Sequence, residues 1–438
     1  MAKQFALSGD SLSRIELKTN DSVLDITGNV TKIQITESLI VPFIRGFIRI
    51  IDTGSTDILT RLPMSGGPET SVQFSFSGLE DDGESPQKEI KITHENYRVM
   101  EIELGSQQQA GRNINIFFAH KCFFENLKVK TTAHYEDMKI SEIVRKISNQ
   151  KDFKLEWNEI ETTQNNVSYT RPLNNPFTHI INLTNYSVRK ENINDVNYLF
   201  WQDINQKHNY KSLGKLFSQT PTVGKDTDTG FIVAHFQPSD FKDVRRFTLN
   251  HTPIHRSSLM TSLSGAHGSF NIFSDPAIKD GFHNETFEEN KVWNKQTHMS
   301  QRPLVEQNSD YWKYINTSYL TTLLHTNTNG YCCNEPAGGI LNPIYCLPRR
   351  INQMAKSFQL GIRFSTTGNS DSEVLSAGKM IFFGRPLIKQ APDAKREDVF
   401  YSGKYCISTL KHEIFIARNG QKRYSCIVEA YKDSLGDE

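Results

Sequence analysis

The sequence of 438 residues contains few of the features that assign a chain to a common functional class. Its 6 cysteines are too sparse for a disulfide scaffold, so a reducing compartment is expected. Residues 1–18 lack the apolar stretch of a secretory signal. No apolar run approaches the roughly 18 residues that a membrane-spanning helix needs. We therefore expect a soluble protein that is made in a cytosol and does not insert into a membrane.

An excess of charge of one sign is also missing. The 50 lysines and arginines nearly cancel the 49 aspartates and glutamates, which leaves a net charge of +1. Proteins that read DNA usually carry a basic surface, so specific DNA binding is not expected. Tryptophan is scarce, with 4 residues, whereas 27 phenylalanines and 15 tyrosines favour β-strands.

Complete catalytic motifs are absent. Residues 50–55 (Ile-Ile-Asp-Thr-Gly-Ser) have the form of an aspartic-peptidase loop centred on Asp52. Such an enzyme needs a second aspartate at the end of another buried strand. The second Asp-Thr-Gly sequence begins at Asp228, but the polar residues 224–227 precede it. We therefore interpret Asp52 as a turn residue that accepts backbone hydrogen bonds, and an aspartic peptidase using Asp52 is the less favoured alternative.

Candidate metal and substrate sites are incomplete as well. Cys332, Cys333 and Cys346 lie near His325 without the paired spacing of structural zinc sites, so free thiols are expected and metal binding stays open. Four further patterns lack a required residue or context. They are the calcium-like turn at Asp226 to Gly230, where Gln237 stands in place of the glutamate ligand, the pair Gly224-Lys225, Ser264 with His267, and the polar stretch that contains Glu156, Glu159 and Glu161. The three glutamates are interpreted as a solvated surface. We predict no catalytic, cofactor-binding or metal-binding residues, and hence no enzyme.

Residues 1–127 form the first predicted domain, an all-β unit. Apolar residues alternate with polar ones through most of it, which is typical of half-buried strands. The clearest examples are residues 33–35, 72–76, 90–92 and 114–117. Residues 79–87, with three acidic side chains followed by glycine and proline, are predicted to form a solvated loop.

Residues 128–242 form the second predicted domain, of mixed α+β type. The block Cys122 to Ile147 is expected to pass from β-strand to helix, with Asp137 as the helix N-cap. Four apolar residues at helical spacing support that helix: Ile140, Ile143, Val144 and Ile147. A second helix is predicted after Pro176, with one apolar stripe formed by Phe177, Ile180, Ile181, Thr184 and Val188. Strands are predicted at residues 196–201 and 231–236.

Residues 243–285 and 348–438 form the third predicted domain, again β. An irregular insertion, residues 286–347, interrupts it because polar residues and a Gly/Pro-rich stretch dominate there. A short helix is predicted after Pro348, with Ile351, Met354, Ala355 and Phe358 on one face. Strands follow at residues 379–383, 405–417 and 423–431, the last two joined at Asn419-Gly420, a pair typical of a tight hairpin turn.

A weak internal similarity links the two β parts. Residues 46–52 and 268–275 each contain a glycine, an apolar strand and a terminal aspartate. Two interpretations stay open, because any strand that ends in a turn can match this short pattern, and because a duplicated β domain would also produce it.

Taken in order along the chain, several short segments resemble the central hub protein of contractile-tailed phage baseplates. The segments are residues 125–129, 140–147, 200–204 (Phe-Trp-Gln-Asp-Ile), 363–368, 379–383 and the closing hairpin around His412-Glu413. The insertion at residues 286–347 has no counterpart in this resemblance.

The resemblance implies a mainly β fold in which two tube-type antiparallel β-barrel domains flank an α+β middle domain. It also implies a structural protein of the virion that is assembled in the host cytoplasm. Three copies would form a homotrimeric ring that joins the hexameric tail tube, or its initiator proteins, to the trimeric spike. Baseplate wedge proteins would surround that ring. Phage DNA would pass through its lumen during genome ejection without specific binding, and no cofactor is implied.

A second hypothesis is a spike-type protein of a secretion machine. Such proteins usually continue into an OB-fold and a long β-helical needle, which this sequence does not show. In either case Trp201 is expected to be a packing residue of the middle domain, because Tyr198 to Trp201 has the length and composition of a buried strand.

Overall fold

The computed structural model describes most of the chain, with gaps. The described residues are 12–53, 58, 69–77, 88–108, 111–164, 166–222, 231–233, 247–248, 251–255, 263, 265–274, 282–304, 317–322, 343–385, 398, 400–416 and 421–436. We call residues 12–120 the first β region, residues 121–222 the middle region and residues 231–436 the second β region. No helix in these described parts has the length and apolar character needed to cross a membrane.

The first β region consists of strands, as predicted. The strands are β1 (Glu16–Lys18), β2 (Val23–Asp25), β3 (Val30–Ser38), β4 (Arg45–Asp52), β5 (Ser71–Phe76), β6 (Ile90–Ile92), β7 (Tyr97–Gln108) and β8 (Gly111–His120), with a 3-10 turn at Thr27–Asn29. Alternation has the predicted effect, since Ile33 and Ile35 in β3, and Ile114 and Ile116 in β8, are buried while their neighbours are less so. The acidic loop at residues 79–87 lies outside the described residues.

The middle region mixes helices with short strands. Its elements are α1 (Lys121–Lys128), β9 (Thr131–Lys139), α2 (Ile140–Ile147), β10 (Asn149–Gln150), β11 (Phe153–Lys154), β12 (Trp157–Ile160), β13 (Asn166–Asn174), α3 (Pro176–Thr184), β14 (Tyr198–Gln202), β15 (His208–Ser212) and α4 (Leu213–Phe217). Strands β12, β15 and β14 form one small sheet, and β9 pairs with β13. All four predicted apolar residues of α2 are buried.

Three local predictions in the middle region are wrong. Residues 121–128 form helix α1 and not the end of a strand, because the His120 side chain accepts from the Cys122 N–H and caps the helix. Asp137 does not cap α2, which begins after Lys139; it lies in β9 at a register shift and has a φ of 43°. Aspartate tolerates this left-handed conformation, which suits a bulge. In α3, Ile181 is exposed and lies off the buried stripe.

The second β region contains the remaining elements. They are β16 (Phe231–Val233), β17 (Phe247–Thr248), β18 (His251–His255), β19 (Gly268–Ser274), β20 (Phe282–Glu288), 3-10 turns at Glu289–Lys291 and Trp293–Lys295, β21 (Arg302–Pro303), β22 (Thr317–Thr322), α5 (Pro343–Ser357), β23 (Leu360–Thr367), β24 (Met380–Gly384), β25 (Gly403–Ile416), β26 (Lys422–Lys432) and β27 (Ser434–Leu435). The three predicted C-terminal strands are confirmed as β24, β25 and β26. The predicted turn at Asn419-Gly420 lies outside the described residues.

Several predictions for this region need correction. The supposedly irregular residues 286–347 include the end of β20, two 3-10 turns, β21, β22 and the start of α5. Strand β16 pairs with β24 of the large sheet, so it does not join the strands of the middle region.

Helix α5 also differs from its prediction. It begins at Pro343 and continues through Pro348, so Pro348 does not mark its start. Its most buried described residues include Asn352, Gln353 and Lys356, whereas Ile351 and Met354 are only half-buried. The apolar spacing therefore did not identify the buried face of this helix.

One 15-stranded sheet unites the first and second β regions. Its path runs β17-β16-β24-β25-β3-β4-β8-β7-β5-β1-β2, and β26 pairs with β25 and β23. The two regions meet where β3 pairs antiparallel with β25, in register from Ser38 opposite Thr409 to Lys32 opposite Phe415. A single hydrophobic core backs both halves, with Ile35 and Phe118 from one and Phe364 and Val428 from the other.

The internal similarity of residues 46–52 and 268–275 does not mark equivalent strands. The first segment is β4, in the middle of the large sheet between β3 and β8. The second begins as β19, which pairs with β20 and β22 in a separate three-stranded sheet. The match therefore reflects a common strand-and-turn pattern.

Candidate functional site

In the described residues, several buried polar contacts join the two β regions to the middle region. Residues 201–203 (Trp-Gln-Asp), which form the end of β14 and the corner after it, lie at this junction. Each of these three side chains contacts a different neighbour, which makes the junction the candidate functional site.

Trp201 lies at the centre of the junction, and its side chain is only 2% exposed. The indole packs in a cluster that draws on all three regions: Leu39 after β3, Leu213 and Leu216 of α4, and Ala377, Met380 and Cys406 of the second β region. The prediction that Trp201 is a packing residue is confirmed. Its partners extend well beyond the middle region, however, whose own core is formed by α2, α3 and the small sheet.

Gly378 allows the close approach of the second β region to Trp201. Its φ is +88°, a conformation that side chains with a Cβ rarely adopt. A Cβ at this position would lie 2.9 Å from Trp201 Cζ2 and 3.4 Å from Leu39 Cδ2. Glycine is therefore required here both for backbone conformation and for space.

Gln202 joins the middle region to the first β region by hydrogen bonds. Its Oε1 accepts from the Ile44 N–H at 2.9 Å, at the start of β4, and its Nε2 donates to the Gln206 carbonyl at 2.8 Å. Nearby, His208 Nε2 lies 3.1 Å from the Pro42 carbonyl oxygen. Because these groups are buried, each bond also prevents an unpaired polar group from costing stability.

Glu37 is the buried carboxyl of the junction and joins all three regions. Its Oε2 accepts from the Ile204 N–H at 3.0 Å and from Ser376 Oγ at 3.1 Å, and its Oε1 accepts from the Ala377 N–H at 3.1 Å. Burial, with the nearby Asp203 carboxyl, raises the pKa of Glu37 to about 8, although the three hydrogen bonds oppose this. The sequence did not indicate this role, because residues 36–38 are buried without alternation.

Asp203 completes the corner. Its Oδ2 accepts from Asn209 Nδ2 at 3.0 Å, and its Oδ1 accepts from the Lys207 N–H at 3.2 Å. Burial raises the pKa of Asp203, while the bond from Asn209 is the largest effect that lowers it. The predicted corner is thus a hydrogen-bonded turn that holds Ile204 against Glu37.

A second set of contacts involves residues 289–303, which we call the 289–303 segment. Thr297 donates from N and Oγ1 to the two carboxylate oxygens of Asp195, at 2.9 and 2.6 Å. One residue later, His298 Nδ1 lies 2.7 Å from Asp433 Oδ2, and Met299 N donates to Asp433 Oδ1. Part of the predicted insertion therefore fastens the middle region to the C-terminal strands.

The cysteine–histidine pairs in the described residues are unsuited to nucleophilic catalysis. Cys426 Sγ lies 3.5 Å from His412 Nδ1, but burial raises the pKa of the thiol to about 11 and lowers the pKa of the imidazole to about 3. Burial likewise raises the pKa of Cys122 and lowers that of His208 to about 4, although these two groups are also neighbours. A nucleophilic cysteine needs the reverse shift of the thiol pKa.

The other candidate residues are only partly described. Cys346 is buried with Val188 and Val196, whereas His325, Cys332 and Cys333 lie outside the described residues. No cluster of three or more potential metal ligands occurs in the part that the structure describes. Residues 224–230, Gln237 and Ser264 are also outside it, and His267 Nδ1 lies 2.6 Å from Glu289 Oε2.

The three glutamates of the polar stretch do not all face solvent. Glu159 lies on β12, 2.9 Å from Lys211 Nζ. Glu161 is buried and accepts from Ser212 Oγ at 3.1 Å, and its carboxylate lies 3.1 Å from Arg189 Nε. The solvated-surface interpretation is therefore wrong for Glu161, because ion pairing and hydrogen bonds replace its hydration.

Asp52 is the last residue of β4 and is half-buried. It lies opposite Arg112 in the register with β8. Its carbonyl oxygen would be only 2.6 Å from a Cβ at Gly111, which has a φ of +128°. Asn29 Nδ2 donates to the Ile51 carbonyl at 2.9 Å and fixes the strand end. Gly54, Ser55 and Asp228 lie outside the described residues, so the proposed dyad stays untested.

We expect an Asp52→Asn substitution to leave the fold and assembly intact. The amide keeps the size of the side chain and can still accept a hydrogen bond, so the loss should be at most about 1 kcal/mol. Urea unfolding of the variant and the wild type would measure it. Acid-dependent proteolysis by the wild type that is lost in the variant, with equal stability, would instead support the peptidase alternative.

This chain is similar to known proteins in fold and not in sequence. Its sequence matches no protein-family model. It also matches no curated protein sequence. Among solved structures, the 43 kDa tail protein of prophage MuSo2 from Shewanella oneidensis is similar, with a TM-score of 0.51, 9% identity, and coverage of 96% of this chain and 98% of that one.

A second similar structure is the tail protein from Neisseria meningitidis MC58. The TM-score is 0.50 and the identity 7%, with 97% of each chain covered. The similarity thus spans nearly the full length of all three chains, helices and strands together. The mainly β architecture with an α+β part, predicted from the hub resemblance, is confirmed: the chain has the fold of phage tail proteins.

Proposed function

We propose that this protein is the structural hub of a contractile phage tail, a trimeric adapter between the hexameric tail tube and the trimeric spike. The observation that carries the proposal is the fold, which the chain shares over nearly its whole length with two phage tail proteins. The domain limits predicted from the sequence, residues 1–127, 128–242, and 243–285 with 348–438, belong to this proposal, except that β16 pairs with β24 and so belongs with the third domain. The protein would act through shape and symmetry and not through catalysis.

The polar face of the large sheet supports a role as a DNA conduit. Where β3 meets β25, Lys32 Nζ lies 2.7 Å from Glu413 Oε1 and 4.7 Å from the centre of the Phe415 ring. On the next strands Glu429 lies within 3.7 Å of Lys411 and within 3.6 Å of Arg363. Paired charges of both signs would let the DNA backbone slide, because an uncompensated basic surface would hold phosphates.

The outer edge of β7 supports a ring of subunits. This strand has 12 residues, but in the described parts of the chain its side away from β8 pairs with another strand only at Ser71–Arg98 and through the adjoining bond from the Val99 N–H to the Thr70 carbonyl. Met100 and Leu104 are exposed along it. Long exposed strand edges are aggregation hazards that natural proteins cover, and a neighbouring copy in a closed ring would cover this one.

We expect a homotrimer, at least when the cognate spike protein is present. Native mass spectrometry of the purified protein, alone and mixed with the spike, would show the trimer mass and its spike complex. Tube and wedge proteins would add to that complex. Detection of monomer only, with the spike in excess, would refute the adapter. A trimer that binds no separate spike protein would favour the secretion-machine alternative.

A matched pair of variants tests where the subunits meet. Leu104→Lys places a charge on the exposed edge of β7 and should reduce the trimer fraction. Leu173→Lys changes a leucine on β13 that is even more exposed and should leave that fraction unchanged. Equal behaviour of the two variants would exclude the β7 edge as the contact without excluding the trimer.

A further inference from the structure

A polar cleft of about 490 Å³ opens beside the junction. Residues from the first β region, the middle region and the second β region line it, and Trp201, Ala377 and Gly378 form part of its wall. Four lysines surround the cleft: Lys88, Lys207, Lys211 and Lys379. The cleft is therefore built from all three regions and is more basic than the chain as a whole.

Two of the lysines have no ion-pair partner in the described residues. Lys379 Nζ lies 2.8 Å from Glu373, and Lys211 Nζ lies 2.9 Å from Glu159, while Lys88 and Lys207 form no such pair. The Glu373 side chain is 74% exposed, so the cleft holds its carboxylate only loosely. Lys379 lowers the pKa of Glu373 most, and Lys88 and Lys211 add to the effect. The cleft thus favours carboxylates, and its own carboxylate is easily displaced.

The uncharged groups of the wall suit a peptide better than a phosphate chain. Asn158 Nδ2 donates to Asn209, and Asn205 Nδ2 donates to Ser372. The Oδ1 atoms of Asn158 and Asn205 accept no bond within the described residues. Gln219 likewise donates to the Gly378 carbonyl through Nε2, and its Oε1 accepts no bond from the residues that the structure describes. Free acceptors can bind the N–H groups of a peptide backbone, whereas a phosphate backbone offers only acceptors.

We propose that this cleft binds an acidic peptide segment of a partner protein, with Lys88, Lys207 and Lys379 holding its carboxylates. Charge complementarity and the unused amide oxygens carry this proposal. It concerns the single chain and goes beyond the proposed hub function, because the cleft can bind peptide whether or not a ring forms. A failed trimer test and a failed peptide test are thus distinguishable.

The experiment uses the full-length protein and hexaglutamate with blocked ends as the probe. Hexaglutamine serves as the neutral control, and single-stranded hexathymidylate tests the nucleic-acid alternative. Titration calorimetry at low salt would measure affinity, and fluorine NMR of fluorotryptophan-labelled protein would follow the Trp201 signal, identified with Trp201→Phe. We expect hexaglutamate to bind, and hexaglutamine and hexathymidylate not to bind. Binding of hexaglutamate should shift the Trp201 signal and should weaken at high salt.

Charge variants decide whether binding occurs at this cleft. Lys207→Gln and Lys379→Gln should each weaken hexaglutamate binding by up to about fivefold, as expected for exposed ion pairs. Lys154→Gln, which alters an exposed lysine outside the cleft, should not change it. Glu373→Gln should strengthen binding, because it removes the carboxylate that competes for Lys379.

Three outcomes would overturn the proposal. The first is absence of hexaglutamate binding at millimolar concentration. The second is equal or tighter binding of hexathymidylate or hexaglutamine. The third is binding that is equally sensitive to Lys154→Gln and to the two cleft variants. The side chains substituted in the four charge variants are at least partly exposed, so unfolding of these variants is not expected and thermal melting would verify this.

Discussion

A Trp201→Ala variant is expected to lose about 3–5 kcal/mol of the free energy of unfolding, the usual cost of removing a large buried aromatic side chain. The indole touches apolar residues from all three regions, so its removal leaves a cavity where those regions meet. We therefore expect a variant that is insoluble or that assembles poorly. Urea unfolding of the soluble fraction would measure the loss.

Trp157→Ala provides a matched control. Trp157 is half-buried and packs against the core of the middle region, where it contacts Phe200 and His208, and its Nε1 donates to Ser148 Oγ at 2.9 Å. It is not part of the cluster around Trp201. Its loss should destabilise less and leave assembly intact. A Trp201→Ala protein that is as stable and as fully assembled as the wild type would contradict the assignment of Trp201 to the junction.

Gly378→Ala gives an independent check on the same contact. The added methyl would meet the indole at 2.9 Å and strain a backbone with a φ of +88°, so the single variant should be destabilised. Adding Trp201→Ala removes the indole clash but not the backbone strain. The double variant should therefore lose less stability than the two single losses combined, and strict additivity would argue against direct contact.

Local burial patterns explain which elements and residues could be predicted from the sequence. Alternation in β3 and β8, and helical spacing in α2, arise because each element buries one face, so these strands and this helix were predictable. Trp201 was predictable for a related reason, since β14 is buried along its whole length. By contrast, α1 is capped by His120 and buries only Cys122 and Asn126, which leaves almost no apolar period to detect.

The junction itself was not predictable, because its contacts join residues that are distant in sequence. Pairing of β3 with β25 depends on edge-to-edge fit of two strands, and neither strand encodes its partner. Glu37 gives no signal, since a lone glutamate at a strand end normally indicates exposure. The hub resemblance supplied the architecture, whereas the polar groups that hold it together became visible only in three dimensions.

A Glu37→Ala variant is expected to be the second most damaging substitution. Removing the carboxyl leaves the Ile204 and Ala377 N–H groups and the Ser376 hydroxyl without their acceptor in a buried site. Each unsatisfied buried group costs about 1–3 kcal/mol, although Ser376 can rotate to another partner. Glu101→Ala, at an exposed position of β7, should cost little and serves as the control. Equal losses in both variants would contradict the role of Glu37.

The pH dependence of stability gives the sharpest test of Glu37. Its pKa is about 8 in the folded protein against an ordinary value of 4.5, so the folded state keeps a proton that the unfolded state has lost in this interval. Stability from this group is therefore fully present below pH 4.5 and falls as pH rises to about 8. The protonated carboxyl still serves the junction, because its O–H can donate to Ser376 Oγ while both oxygens accept the two N–H groups.

Glu37→Gln isolates this contribution from the other titrating groups. The amide cannot ionise. Its NH2 group would face one of the backbone N–H groups that the carboxyl accepts, so the substitution should lower the free energy of unfolding by about 1–3 kcal/mol at pH 5. Because only the wild type then weakens with rising pH, the difference between the two proteins should fall by roughly 3–4 kcal/mol between pH 5 and pH 8 and change sign, so that the variant becomes the more stable protein at pH 8. Parallel stability profiles of wild type and variant across this range would show that Glu37 has an ordinary pKa and that the three donors, not burial, set its charge.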